Sequence, residues 1–356
     1  MQTPPAPIPD MAIDGRPIGP SHPPYVIAEM SGNHKGDIGR AKALIEAARA
    51  AGADAVKLQT YTADTITIRS GRPEFQIHGG LWDGRTLHEL YEEAHTPWAW
   101  HPELFAHARK LGITIFSSPF DDSAVDMLEG LDAPAYKIAS AEIVDWGLLE
   151  RVGRTGKPVI VSTGMANDSE IGEALGVLRA AGAHDILLLH CISAYPTPLS
   201  EANLARIPYL RDRYRCLAGL SDHTMGLEAA RLAAALGAVA VEKHFTLKRA
   251  DGGVDSAFSL EEQELVEFVD ALRGAHAALG SAQVEISPSE EATLNFRRSL
   301  YVVKPLKKGE TITPAHIRSI RPGAGLPPRH LKEILGRPAA RDVEAGVPAD
   351  WSMVGE

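Results

Sequence analysis

The sequence predicts an α/β protein: a parallel (β/α)8 TIM barrel followed by a small, mostly β domain. Three observations carry that prediction. Eight short runs between residues 25 and 244 are apolar through their middles without alternating, as strands buried on both faces must be. Amphipathic stretches separate most of these runs. One pattern also recurs, a helical stretch, a glycine, a short turn and a strand, in AAGADAV, KLGITIF, RAAGAHDIL and AALGAVAV. An open doubly wound sheet is the alternative, but no glycine-rich phosphate loop follows the first run.

The proline-rich start, residues 1–24, lacks the apolar centre of a targeting peptide. Within it, MAIDGRPIG reads as a hairpin about Asp14 and Gly15 that can plug the barrel floor. Strands are expected at 25–29, 54–59, 113–118, 135–140, 158–163, 185–191, 217–223 and 238–244. Helices are expected at 37–51, 97–111, 121–129, 168–181, 225–236 and 261–279; Gly52 ends the first of them. Residues 60–96 are too many for a simple loop, and long loops at the top of a barrel usually carry function. The expected domains are 1–280 for the barrel, 281–296 for a polar linker and 297–356 for the second domain. That last part has short runs, SLYVVK, TIT, IRSIRP and AARDVEAG, cut by Lys-Lys-Gly, Pro and Gly turns. Its small size implies a thin core.

Lys and Arg number 36 and Asp and Glu 46, a net charge of −10. This balance argues against nucleic-acid or membrane-surface partners, though not against a local basic pocket. Cys191 and Cys216 are the two cysteines, too few for a disulfide framework, and a reducing cytoplasm is expected. The longest apolar stretch, 229–241, contains Arg231 and is too short to cross a bilayer.

Barrels of this kind carry their sites at the C-terminal ends of the strands. Almost every expected strand ends there in polar groups: Glu29, Lys57 with Gln59, Ser118, Lys137 with Ser140, Ser162, the stretch 190–195, Ser221 with His223, and Glu242 with His244. Residues two apart share a face, so Lys57 and Gln59 enter the mouth if Val56 and Leu58 pack on the helices. Two lysines there need anionic partners. Internal pairing with Glu29 and Glu242 would satisfy them. Four serines at parallel positions favour a site for a phosphate, a carboxylate or both. His223 and His244, on neighbouring strands, can hold one divalent metal, and oxygen co-ligands would suit Mn²⁺ or Mg²⁺. Two anion sites beside a Lewis acid suit phosphoenolpyruvate, or a similar phosphorylated acid, meeting a carbonyl compound.

The ordered motifs IAEMSGNHKGD, AGADAVKLQTYTADT, FSSPFD, AYKIAS, VSTGMA, LHCISAYPTP, GLSDHTMG and VEKHFTL resemble the sialic acid synthase family. The last segment, with RSLYVVKPLKKGETIT and IRSIRPGAGL, is similar to that family's SAF (antifreeze-like, β-clip) domain. GGLWDGRTLHELYEEAHTPWAWH and VDSAFSL resemble the pseudaminic acid branch. The N-acetylneuraminate branch usually has Asn at Ser193 and Gly-Pro-Asp around Val254 and Asp255, and this chain departs from both.

The resemblance implies that Lys137, Ser140, Ser162, Ser193 and Ser221 hold the phosphate of phosphoenolpyruvate, with Lys57 and Ser118 on its carboxylate. It implies metal ligation by His223 and His244. Glu29, Gln59, Tyr195 and Asp255 would handle an open-chain N-acylated amino sugar and a water. Arg321 would reach from one subunit's tail into its partner's barrel, in a domain-swapped homodimer. Asp255 and Arg321 come from the resemblance alone. Rival readings are an N-acetylneuraminate or legionaminate synthase, a 3-deoxy sugar-phosphate synthase, and a sugar- or ice-binding module without catalysis.

Overall fold

The computed structural model describes residues 7–356; the first residues of the proline-rich start lie outside them. β1 (Met11–Ile13) and β2 (Arg16–Ile18) form the expected antiparallel hairpin. Asp14 and Gly15 both have positive φ, 51° and 75°, the pairing that a two-residue hairpin turn demands.

Eight parallel strands then close into a barrel in chain order: β3 (Tyr25–Glu29), β4 (Ala55–Thr60), β5 (Thr114–Pro119), β6 (Tyr136–Ile138), β7 (Val159–Ser162), β8 (Ile186–His190), β9 (Leu217–Asp222) and β10 (Ala240–His244). β10 pairs back onto β3. The α-helices between residues 38 and 279 are α1 (Ile38–Ala50), α2 (Ala63–Ile66), α3 (Leu87–Ala94), α4 (His101–Leu111), α5 (Asp122–Gly130), α6 (Trp146–Gly153), α7 (Asp168–Ala181), α8 (Arg206–Tyr214), α9 (Glu228–Ala235) and α10 (Glu262–Leu279).

α2, α3, α6 and α8 are not among the expected helices, and the first two lie within the stretch 60–96. α6 is eight residues long, capped by the Asp145 side chain on Leu148 N–H. α8 carries Pro208 at its third residue, which reads as a breaker but is harmless in a first turn, where the missing N–H would have no partner. The helix expected from residue 97 starts at His101, after the 3-10 turn Trp98–Trp100.

Two apolar layers hold the barrel. Val56 and Leu58 pack outward with Leu44, Ile45 and Leu104 of the helices. Inward residues low on the strands, among them Tyr25, Ala55, Phe116 and Leu217, pack with Met11, Ile13 and Ile18 of the hairpin. The hairpin therefore closes the N-terminal end of the barrel with side chains, and only the opposite end is left for polar groups.

Residues Ser281–Glu356 form a second compact unit. Residues 281–296 carry α11 (Pro288–Glu291) and the 3-10 turn Ala292–Phe296. Of the four expected strands two form, β11 (Ser299–Val302) and β12 (Ile317–Ile320), paired antiparallel; the other two runs make isolated bridges such as Leu306 with Val343. The unit has an apolar cluster of its own around Leu300, Val302, Ile312, Ile317 and Met353.

Ile13 is fully buried in the floor. Ile13→Ala should therefore lower the stability of the barrel by about 2–5 kcal/mol in denaturant unfolding. An unchanged barrel transition would show that the hairpin is not part of its core.

Candidate active site

Most strands carry their inward row from apolar floor to polar mouth. On β3 the row is Tyr25, Ile27, Glu29; on β4 it is Ala55, Lys57, Gln59; on β10 it is Ala240, Glu242, His244. Register places Glu29 beside Lys57 on one side and His244 on the other, and Ser221 beside Glu242.

The lysines are buried and paired internally. Lys57 Nζ contacts Glu29 Oε2 and lies 3.4 Å from Ser118 Oγ and 3.8 Å from Glu242 Oε2. Lys137 Nζ donates to both oxygens of Glu242, at 2.9 and 3.1 Å, and Ser221 Oγ donates to Glu242 Oε1 at 2.9 Å. Burial pushes the Glu29 carboxyl up, against the pull of Lys57. Burial acts on Glu242 in the same sense, but Lys137 and Lys57 outweigh it and hold this carboxyl below its usual range. Burial leaves Lys137 easier to deprotonate than a free lysine. Glu242 thus bridges the two cations, and Glu29 is the carboxyl that protonates more readily.

Glu29 is tied to Asp255 through Ser31. Ser31 N–H and Gln59 Nε2 donate to Glu29 Oε1, at 3.1 and 3.0 Å, and Ser31 Oγ donates to Asp255 Oδ2 at 2.5 Å. Burial raises the Asp255 carboxyl, and the Ser31 hydrogen bond opposes it.

His223 and His244 come together with ring centroids 5.6 Å apart, and Tyr195 packs 4.3 Å from His223 and 6.0 Å from His244. His223 Nδ1–H donates to the Ile192 carbonyl at 2.8 Å, which leaves Nε2 as a bare lone pair. Burial lowers His223 to about 4, and burial, with His223 close by, pushes His244 well down, so both are neutral at pH 7. His244 Nδ1 is buried without a hydrogen-bond partner. Two neutral imidazoles with unused lone pairs fit a divalent cation. Among the described residues no group of three or more His, Cys, Asp or Glu is placed for a metal, so water and substrate oxygens would complete the shell. Behind the histidines, Lys243 Nζ bonds Asp222 Oδ2 at 2.7 Å, both buried, and clasps the two strands that carry them.

Ser140 Oγ lies 3.0 Å from Cys191 Sγ. A Cβ on Gly164 would come within 2.8 Å of Ser140 Oγ, Cys191 Sγ and Ser193 Oγ together, so the absent side chain keeps this corner open. Ser162 Oγ is buried with no partner. Arg321 follows β12 in the second unit, exposed, and its side chain has no partner among the described residues.

The barrel thus gathers Glu29, Lys57, Gln59, Ser118, Lys137, Tyr195, Ser221, His223, His244 and Asp255 at one mouth. Ser140 and Ser193 share the corner at Gly164, and Ser162 ends the inward row of β7. The sequence alone points to Glu242 only as a counter-ion and does not single out Ser31, Gly164 or Trp82. Trp82 Nε1 donates to Val254 O at 2.9 Å, and its ring lies 5.8 Å from Tyr195. For Glu242 the signal is present in its spacing from His244. For the other three it is not, because long-range contacts alone place them.

Comparison with known proteins follows the same lines. Residues 44–284 match the NeuB family and residues 297–355 the SAF domain. The chain is 44% identical to a pseudaminic acid synthase of Helicobacter pylori, covering 92% of this chain and 96% of that one. It is 42% identical to a pseudaminic acid synthase of Campylobacter jejuni, covering 90% and 94%. A crystal structure of N-acetylneuraminic acid synthetase from Leptospira borgpetersenii superposes with a TM-score of 0.72 at 32% identity, over 81% of this chain and 96% of that one. The chain belongs to the NeuB family and carries a SAF domain at its C-terminal end.

Proposed function

We propose that this enzyme condenses phosphoenolpyruvate with the open-chain form of 2,4-diacetamido-2,4,6-trideoxy-L-altrose, giving pseudaminic acid and inorganic phosphate. The observation that carries the reaction class is the convergence of two buried lysines and two neutral histidines at one barrel mouth. The choice of sugar rests on similarity to the pseudaminic acid synthases.

In this reading Lys137, Ser140, Ser162, Ser193 and Ser221 hold the phosphate, and Lys57 with Ser118 holds the carboxylate. The resident carboxylates of Glu29 and Glu242 keep the lysines charged before substrate arrives. Carbon 3 of phosphoenolpyruvate bonds to the aldehyde carbon, water adds at the cationic carbon 2, and the C–O bond to phosphate breaks as the ketone forms. The proton lost by the water balances the one gained by the aldehyde oxygen. Glu29 and Asp255, both raised by burial and linked through Ser31, are the groups placed to pass it. Gln59 and Tyr195 position the sugar. A divalent ion, Mn²⁺ or Mg²⁺, held by His223 and His244 would polarise the aldehyde as a Lewis acid.

Two further parts of the reading concern place and assembly. Both cysteines are free and buried, and among the described residues no helix is long and apolar enough to cross a membrane; these support a cytoplasmic setting. Exposed apolar side chains rim the catalytic end of the barrel, Val144 and Trp146 after β6, Met165 after β7 and Met225 after β9. Such a rim calls for cover. With Arg321, whose side chain has no partner among the described residues, it supports a two-fold dimer in which one subunit's tail covers its partner's mouth.

Incubation with phosphoenolpyruvate and each candidate sugar, read by mass spectrometry, should yield pseudaminic acid from the trideoxy-altrose. His223→Ala and His244→Ala should each abolish turnover and Mn²⁺ binding while leaving the circular dichroism spectrum unchanged. Product formed only from N-acetylmannosamine would overturn the substrate, and full turnover in excess chelator the metal. For the dimer, Arg321→Ala and His223→Ala should each be inactive alone and regain part of the activity when mixed, because one composite site then carries neither change. No recovery despite proven subunit exchange would place Arg321 outside the partner's site.

A further inference from the structure

A cavity of about 340 Å³ opens in front of Asp255 and His244. Among the described residues no lysine or arginine lines it, so it suits an uncharged ligand rather than the anion. Its inner side is polar, with Ser31, Gln59 and Asp255. The opposite side comes from the long segment between β4 and α4, with the aliphatic Ile77, Leu87 and Leu90 beside the rings of Tyr61, Trp82 and Tyr91.

This side is built to hold its shape. Ile77 N–H donates to Arg85 O at 2.8 Å and Gly84 N–H to Ile77 O at 3.0 Å, which closes the loop on itself. The Trp82 N–H is already engaged by Val254 O, so the indole offers the cavity no free donor. α3, which carries Leu87 and Leu90, starts at a reciprocal cap between Thr86 and Glu89. Tyr61 packs edge-on against Tyr91 and Phe120, with centroids 5.7 and 5.1 Å apart.

We infer that Ile77, Leu87 and Leu90 form the element that selects the sugar, by receiving a methyl group of an N-acylated deoxy sugar and disfavouring a hydroxymethyl group at the same place. The inference rests on the function proposed above. A hydroxyl pressed against Ile77, Leu87 and Leu90 loses its water and gains no hydrogen bond from them. A wall of this kind discriminates by about tenfold to a few hundredfold, not more.

The test compares two sugars that differ only at carbon 6, the trideoxy sugar and its 6-hydroxy analogue. Their binding to wild type, Ile77→Thr and Leu87→Asn is measured by calorimetry, and their turnover with phosphoenolpyruvate separately. Wild type should bind the trideoxy sugar at least tenfold more tightly. Each variant should reduce that ratio at least fivefold without changing the KM for phosphoenolpyruvate. Equal binding of both sugars by wild type, or an equal loss for both in the two variants, would overturn the inference. If wild type binds the trideoxy sugar but condenses neither sugar, the proposed reaction falls, while the binding ratios still decide the wall.

Discussion

The structure turns on burying Glu29, Lys57, Lys137, Glu242 and Asp255 together at one end of a barrel. Burying any one of these charges alone would be prohibitive. Glu242 makes the set tolerable, because it takes Lys137 on both oxygens and stands 3.8 Å from Lys57. Lys57 and Glu29 close the other half. Each inward row must therefore stay apolar below these groups, and the hairpin must seal the floor. A wet floor would screen the pairs that hold the mouth together.

From the same constraint follows a division of the mouth. The lysine side holds two cations, each paired with a carboxylate, and is bordered by serines, one of them with a buried hydroxyl that has no hydrogen-bond partner among the described residues. The other side has no cation among the described residues and is walled by the long loop. His223 and His244 stand between, with Tyr195 against both rings. In the proposed reaction an anionic substrate and a neutral one would meet across the two imidazoles. The buried pair of Lys243 and Asp222 keeps the backbones carrying those imidazoles in register.

Much of this is legible in the amino-acid sequence. Strand parity puts Lys57 and Gln59 on the inward face with Val56 and Leu58 against the helices, because period two leaves no other choice once one face is apolar. The hairpin is legible from Asp14 and Gly15, since few other pairs accept two positive φ values. What stays hidden depends on contacts far apart in sequence. Ser31 joins Glu29 to Asp255, and its hydroxyl reaches a carboxylate 224 residues later. Gly164 matters because three side chains from the segments that follow β6 and β8 crowd its missing Cβ. α8 is obscured by Pro208, which is a helix breaker everywhere except in a first turn. Internal pairing of both lysines is the alternative that the residues offer to an anion site; the structure shows that pairing, and an anion site would have to compete with it.

That competition is the central claim, and equilibrium binding of phosphoenolpyruvate tests it most directly. Calorimetry on wild type, Lys57→Ala and Lys137→Ala should show each variant losing about 1.5–3 kcal/mol, roughly ten- to hundredfold in affinity. Affinity for the sugar should stay within about threefold of wild type, since no lysine among the described residues lines its cavity. Unchanged phosphoenolpyruvate binding in both variants would contradict the account and leave the lysines as internal counter-ions only.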